Sequence, residues 1–164
     1  MSVRKIRLLP DPVLRQKAKK VSKIDVSIER LIDDMIETME AAAGVGLAAN
    51  QIGVPLKIAV IRMPGEELMV LINPEIVEKE GERIINEACL SVPGYQGEIK
   101  RAVKVKVKAK NRRGRSIRIK GEDLLAQALE HELDHLSGIL YVDRIEPDKL
   151  HKVEAEAESE EEGL

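Results

Sequence analysis

His131-Glu132-Leu133-Asp134-His135 decides how the rest of the chain is read. The motif lies in Gly121–Gly138, where apolar residues recur at helical spacing, and this predicts one helix over that span. Residues four apart share a helical face, so the two imidazoles point the same way and suit one metal ion. Glu132 follows the first histidine directly, which puts its carboxylate where it could take a proton from a bound water. At about 100° per residue, Leu124, Ala128, His131 and His135 form one stripe. Leu125, Leu129, Leu133 and Leu136 form an apolar neighbour, and Glu130 and Asp134 a narrow polar edge. So apolar a helix is expected to be buried, its metal stripe opening on a small pocket floored by Leu124 and Ala128. HExxH also occurs in ordinary helices, so the bare motif leaves two plain helical histidines equally open.

The 164 residues suit one domain over 1–164, long enough for a sizeable core. With no Trp, no Phe and only two Tyr, that core must be aliphatic, and a base-stacking nucleic-acid platform is disfavoured. No stretch is long and apolar enough to span a bilayer, and the N-terminus shows no cleavage pattern, so a cytoplasmic chain without membrane or DNA contacts is expected. Cys89 is the lone cysteine. It cannot form an internal disulfide, which leaves a buried apolar residue, a ligand or a nucleophile.

In chain order, Asp11-Pro12 predicts a short helix from Val13 to Lys20, and a second helix begins near Asp25. Ile28, Leu31, Ile32, Met35, Ile36 and Met39 give that second helix one apolar stripe, with Gly44 as its stop. Gly44 to Gly53 holds mostly small residues around Gln51, which suits packed backbone and not a linker. Leu56–Arg62 and Leu68–Ile72 read as strands, with a turn at Asn73-Pro74. Ile76–Lys79 and Arg83–Ile85 are expected to pair across Glu80-Gly81-Glu82. Val103, Val105 and Val107 alternate with lysines, a half-buried strand, and Asn111-Arg112-Arg113-Gly114 turns it back through Ser116–Lys120. This basic hairpin reads as a solvated sheet face, with ribosomal RNA contact as a second use of the same charges. Ile139–Val142 reads as a strand, Asp148–Ala157 as a last helix and Ser159–Leu164 as a frayed acidic tail. Hairpins followed by a buried helix make the fold class α+β with antiparallel sheets.

Cys89 with His131 and His135 would make a three-ligand site with one open position. Three ordered segments then carry a resemblance. Gly44-Val45-Gly46-Leu47-Ala48-Ala49-Asn50-Gln51, Glu87-Ala88-Cys89-Leu90-Ser91 and Glu130-His131-Glu132-Leu133-Asp134-His135 resemble the GxGxAAxQ, EGCLS and QHExDH motifs of peptide deformylases. Ala88 stands where that family usually has Gly, and Glu130 where it has Gln. The resemblance covers roughly the first 150 residues and implies antiparallel sheets packed around a central metal-binding helix.

It also implies a function, the removal of the formyl group from N-formylmethionine on nascent peptides. Cys89, His131 and His135 would bind one divalent ion, Fe(II) in most relatives, with Zn(II), Ni(II) or Co(II) as substitutes. Metal-bound water would attack the formyl carbon with Glu132 as general base, while Gln51 and the Leu90 backbone N–H stabilise the oxyanion. Val45, Gly46, Ile85, Leu124 and Ala128 would come close enough to line a pocket for the methionine side chain. Glu87 and Arg101 are expected to pair and brace the Cys89 loop. Two other functions compete. A metallopeptidase would need Glu146 or His151 as its third ligand, and a non-catalytic RNA-binding module would use the hairpin and a structural metal.

Overall fold

A computed structural model describes residues 2–153. Its elements are α1 (Val26–Ala41), β1 (Gly46–Ala48), β2 (Ile58–Ile61), β3 (Met69–Glu80), β4 (Arg83–Cys89), β5 (Val92–Arg101), β6 (Lys104–Lys110), β7 (Ser116–Glu122), α2 (Leu124–Leu136) and β8 (Leu150–Lys152). The strands form a five-stranded sheet in the order β1-β2-β3-β6-β7 and a three-stranded sheet β4-β5-β8. Every pairing within them is antiparallel. This is the α+β class read from the sequence.

The β1-β2 end of the five-stranded sheet is covered on both faces, which explains the continuous apolar run of β2, whereas β6 alternates buried valines with exposed lysines. Ile58 and Val60 of β2 join the α1 stripe of Ile28, Leu31, Ile32, Met35 and Met39. Their neighbour Ile61 faces the other way, into a cluster with Ala128, Leu129 and Leu133 of α2 and Val105 and Val107 of β6. Successive strand side chains alternate, so one short strand feeds two cores. A third cluster lies under the small sheet, where Cys89, Val92 and Ile99 meet Val13, Leu14, Leu140, Tyr141 and Ile145.

The basic strand finds its acids across the sheet. Lys106 pairs with Glu78 at 3.0 Å and Lys108 with Glu75 at 3.5 Å, while Lys104 reaches Glu122 at 3.8 Å. Exposed pairs of this kind contribute about 0.2–1 kcal/mol each. Lys106–Glu78 and Lys108–Glu75 lie across the β3–β6 ladder, which corrects the expected pairing of Ile76–Lys79 with Arg83–Ile85. The chain instead turns at Gly81, φ +73°, and enters the second sheet.

Other boundaries also move. Asn73-Pro74 is a bulge inside β3 and not a turn between strands; Asn73 takes φ 52° and its side chain bonds both backbone groups of Val21. The helix expected from Gly121 starts at Leu124, because Gly121 still pairs with Val105 and the corner is made by Asp123 at φ 51°. The Val13–Lys20 helix shrinks to a 3₁₀ turn, Pro12–Arg15. Ala18 and Lys19 donate instead to the carbonyls of Leu136 and Pro55. Tyr141–Arg144 is a 3₁₀ turn where a strand was expected, held by Asp143 accepting from the Leu140 N–H. The expected last helix is absent over Asp148–Val153, where Pro147–Lys149 forms a 3₁₀ turn before β8. Its remainder, and the acidic tail, lie outside the described residues.

Candidate metal centre

α2 is buried along most of its length, and that burial aims its polar groups at one another. His131 is 1% exposed, and Glu132 and His135 are fully buried. Cys89 ends β4, and the tight turn Leu90-Ser91 leads into β5. The Cys89 thiol meets the two histidines there: Sγ lies 3.4 Å from His135 Nε2, which lies 3.1 Å from His131 Nε2. The three donor atoms all fall within 4.8 Å of one another.

Glu87 orients the first imidazole. Its Oε2 lies 2.6 Å from His131 Nδ1. A proton on Nδ1 donated to this carboxylate leaves the Nε2 lone pair facing Cys89 and His135. Glu87 also holds Arg101 through two bonds, of 3.0 and 2.6 Å, and accepts from Gln127 Nε2 at 3.2 Å. Arg101 continues to Asp134 at 3.0 Å, and Arg144 grips the same carboxylate from outside. The expected Glu87–Arg101 pair is therefore present, inside a larger network that ties β4, β5 and α2 together.

Burial and charge set the ionisation of these groups. Burial works against the charged form of Glu87, but His131 and Arg101 outweigh it and hold the carboxyl down at about 2. Burial also opposes a charged His131, yet Glu87 and Cys89 pull that imidazole well above its usual range. His135 is pushed well below it, by burial first and then by His131. Burial raises Glu132 to about 7. Neither Glu132 oxygen has a hydrogen-bond partner among the described residues. A buried carboxylate so placed costs stability unless a proton donor or cation joins it.

Gln51 lies in the 3₁₀ turn Ala49–Ile52 and is fully buried. Its Oε1 accepts the Ala48 N–H at 3.0 Å, which fixes the amide so that Nε2 faces Ser91 Oγ at 3.1 Å and Cys89 Sγ at 3.9 Å. Leu90 sits half-buried in the turn after Cys89. Gly46 lies against Glu132: a Cβ built there would lie 2.5 Å from Glu132 Oε2. Val45, Leu124 and Ala128 share one apolar cluster, whereas Ile85 packs with Cys89 in another.

The two departures from the family motifs are accommodated. Ala88 is not among the residues with positive φ, so a small side chain suffices where glycine is usual. Glu130 Oε1 accepts the Ala102 N–H at 2.6 Å, as a glutamine oxygen could, and Oε2 pairs with Lys79 at 3.1 Å. Several supporting groups escaped the sequence reading. Glu87 was paired with Arg101 there but not with His131. Gln127 lies four residues before His131 on one helical face, a signal that could have found it. Ser91 and Asn50 carry no such signal; Asn50 Nδ2 donates to the carbonyls of His135 and Gln16.

A divalent ion fits this donor set. One soft cysteine sulfur and two imidazoles suit a transition metal, the ring nitrogens His131 Nε2 and His135 Nε2 already converge with the sulfur, and Glu132 follows the first histidine directly. Fold and site together thus define an α+β protein with a buried Cys-His-His centre on an HExxH helix. A family model described as polypeptide deformylase matches residues 3–151. A peptide deformylase of Dehalococcoides mccartyi is 56% identical over 99% of this chain and 98% of its own length. The crystal structure of a peptide deformylase from Legionella pneumophila superposes with a TM-score of 0.86 at 50% identity, covering 88% of this chain and 87% of that one. That of the Thermotoga maritima enzyme gives 0.84 at 42% identity, covering 88% and 99%. The chain belongs to the polypeptide deformylase family, and hydrolase activity in protein biosynthesis goes with that membership.

Proposed function

We propose that the Cys89, His131 and His135 cluster removes the formyl group from N-formylmethionyl peptides, with Glu132 as the proton carrier. The observation that carries the reading is the buried, unpartnered Glu132 carboxylate beside three converging donors. A divalent ion held by those donors, Fe(II) in our reading, would supply a Lewis acid and a water of lowered pKa. Glu132 accepts the proton of the attacking water and returns it to the departing amine. A carboxyl near 7 suits both halves of that transfer. Gln51 Nε2 and the Leu90 N–H donate to the oxyanion as the formyl carbon becomes tetrahedral; removing one such donor costs about 3–4 kcal/mol in other hydrolases. Gln51 adds no net charge that would itself need desolvation.

Val45, Gly46, Ile85, Leu124 and Ala128 line the methionine pocket in this reading, and one catalytic domain spans 1–164 in the cytoplasm. Among the described residues no helix is long and apolar enough to cross a membrane. Ribosome contact through the hairpin is supported by Lys110, Arg113, Arg115, Arg118 and Lys120, which make no ion pair among the described residues. The test is formate release from formyl-Met peptides, measured with metal content. Glu132→Gln is expected to keep fold and metal and to lose kcat by about 10²–10⁴. A metal-loaded Glu132→Gln protein with near-normal kcat overturns the assignment.

A further inference from the structure

The N-terminal segment, residues 2–9, belongs to no helix or strand, yet it touches both loops that carry the oxyanion donors. The Arg7 N–H donates to the Gln51 carbonyl at 2.6 Å, and the Leu9 N–H donates to the Ser91 carbonyl at 2.9 Å. N–H groups two residues apart on extended backbone point to the same side, about 6.8 Å apart. One edge of the segment therefore spans the gap between the Gln51 turn and the Leu90-Ser91 turn. The same two loops meet a second time through Gln51 Nε2 and Ser91 Oγ.

The segment is held at its far end by polar pins on α1. The Ser2 N–H donates to Asp34 Oδ1 at 2.8 Å and the Arg4 N–H to Thr38 Oγ1 at 2.8 Å. The Arg4 guanidinium pairs with Asp34 at 2.7 Å. Apolar anchoring is slight. Val3 and Leu8 are exposed, Ile6 and Leu9 are half-buried, and Leu9 packs against the cluster that holds Cys89. A segment with pins and little buried surface can loosen without unfolding the core. Arg7 also lies over Gly53, the left-handed residue that closes the Gln51 turn.

We propose that residues 2–9 are a positioning strap: the Arg7 and Leu9 N–H groups set the separation of Gln51 from the Leu90 turn, and so align the two oxyanion donors. The proposal rests on the oxyanion roles assigned above. It accounts for two backbone bonds that contribute little to the core yet converge on the donor loops. Misplacement of a reacting geometry by about 1 Å can cost up to 10²-fold in rate, so a partial loss is the expected signature.

The test compares Arg7→Pro, which removes the N–H, with Arg7→Ala, which keeps it and removes the guanidinium. Both are made in the full-length protein, loaded with Fe(II) for kcat and with diamagnetic zinc for the resonances. Arg7→Pro is expected to lower kcat about tenfold, with little change in KM, metal content or Tm. The 15N resonances of the Gln51 side-chain amide should shift as well. Arg7→Ala should stay close to wild type in all of these. Should the proline variant not fold, Asp34→Ala with Thr38→Val releases the far pins and should lower kcat severalfold with the same Gln51 shift. An unchanged kcat and Gln51 resonance in Arg7→Pro, or equal losses in Arg7→Ala, overturns the strap. If the wild type releases no formate at all, the functional reading fails, while the Gln51 resonance still reports on the strap.

Discussion

Glu87 Oε2 lies 2.6 Å from His131 Nδ1, so the segment that ends in one donor, Cys89, also orients a second donor on α2. A single buried carboxylate thus couples two pieces of chain 44 residues apart. Arg101, fully buried on its side chain, neutralises it.

The coupling has a pH signature. Folded Glu87 holds its charge down to about 2, whereas the unfolded chain takes up a proton near 4.5. Between these values the unfolded state binds more protons, so this contribution to stability is present above 4.5 and is lost as pH falls toward 2. Urea unfolding followed from pH 6 to 3 should show a steeper decline in wild type than in Glu87→Gln. The variant should also be less stable at pH 6, by about 1–3 kcal/mol, since buried Arg101 keeps Asp134 as its only charged partner among the described residues of the network. Parallel pH profiles would remove Glu87 from the account. A double-mutant cycle with Arg101→Met should show coupling in metal affinity.

Gly46→Ala tests the contact of the backbone with Glu132. The added Cβ would meet Glu132 Oε2 at 2.5 Å, and the glutamate side chain must shift to relieve it. The donors do not touch Gly46, so metal content should be unchanged while kcat falls about 10- to 100-fold. Full activity in Gly46→Ala would show that the carboxylate position is not critical.

Ala128→Phe tests the pocket. Ala128 is fully buried in the cluster that holds Val45 and Leu124. A phenyl ring there should lower kcat/KM for formyl-Met peptides by about tenfold or more, with metal retained, since overpacking a filled site costs about 1–3 kcal/mol. Formyl-Ala peptides, whose side chain does not reach so deep, should lose less. Equal loss on both substrates would place the methionine elsewhere.

Ala43→Gly tests the end of α1. Ala43 sits at φ 54° while its N–H bonds the Glu40 carbonyl and the Gly44 N–H bonds the Met39 carbonyl. This is the Schellman arrangement, with alanine at the left-handed position and the glycine one residue late. The alanine pays a steric cost there that glycine avoids, less the extra unfolded-state entropy of glycine. A gain of about 0.5–1 kcal/mol is expected, read as a Tm rise of about 1–4 °C. A lower Tm would mean that the αL strain is relieved elsewhere.

Much of this molecule was written in local pattern. The α1 stripe, its start near Asp25, the lysine-valine alternation of β6 and its hairpin turn are short-range signals, because helix and strand periods are properties of neighbouring residues. The His131–His135 pair and adjacent Glu132 were equally legible, since a helix converts a four-residue spacing into a shared face. Tertiary structure decided the rest. Nothing local says that β3 must pair with β6, that Asn73 bulges where a turn was expected, or that Gly121 stays in the sheet. Those outcomes depend on charges and carbonyls far away in sequence. The same holds for the site: Glu87 on His131, Asp134 on Arg101 and Arg7 on the Gln51 carbonyl join residues 33 to 44 apart. Such contacts are chosen by which buried polar groups find partners once the core has closed, and no sequence period encodes that choice.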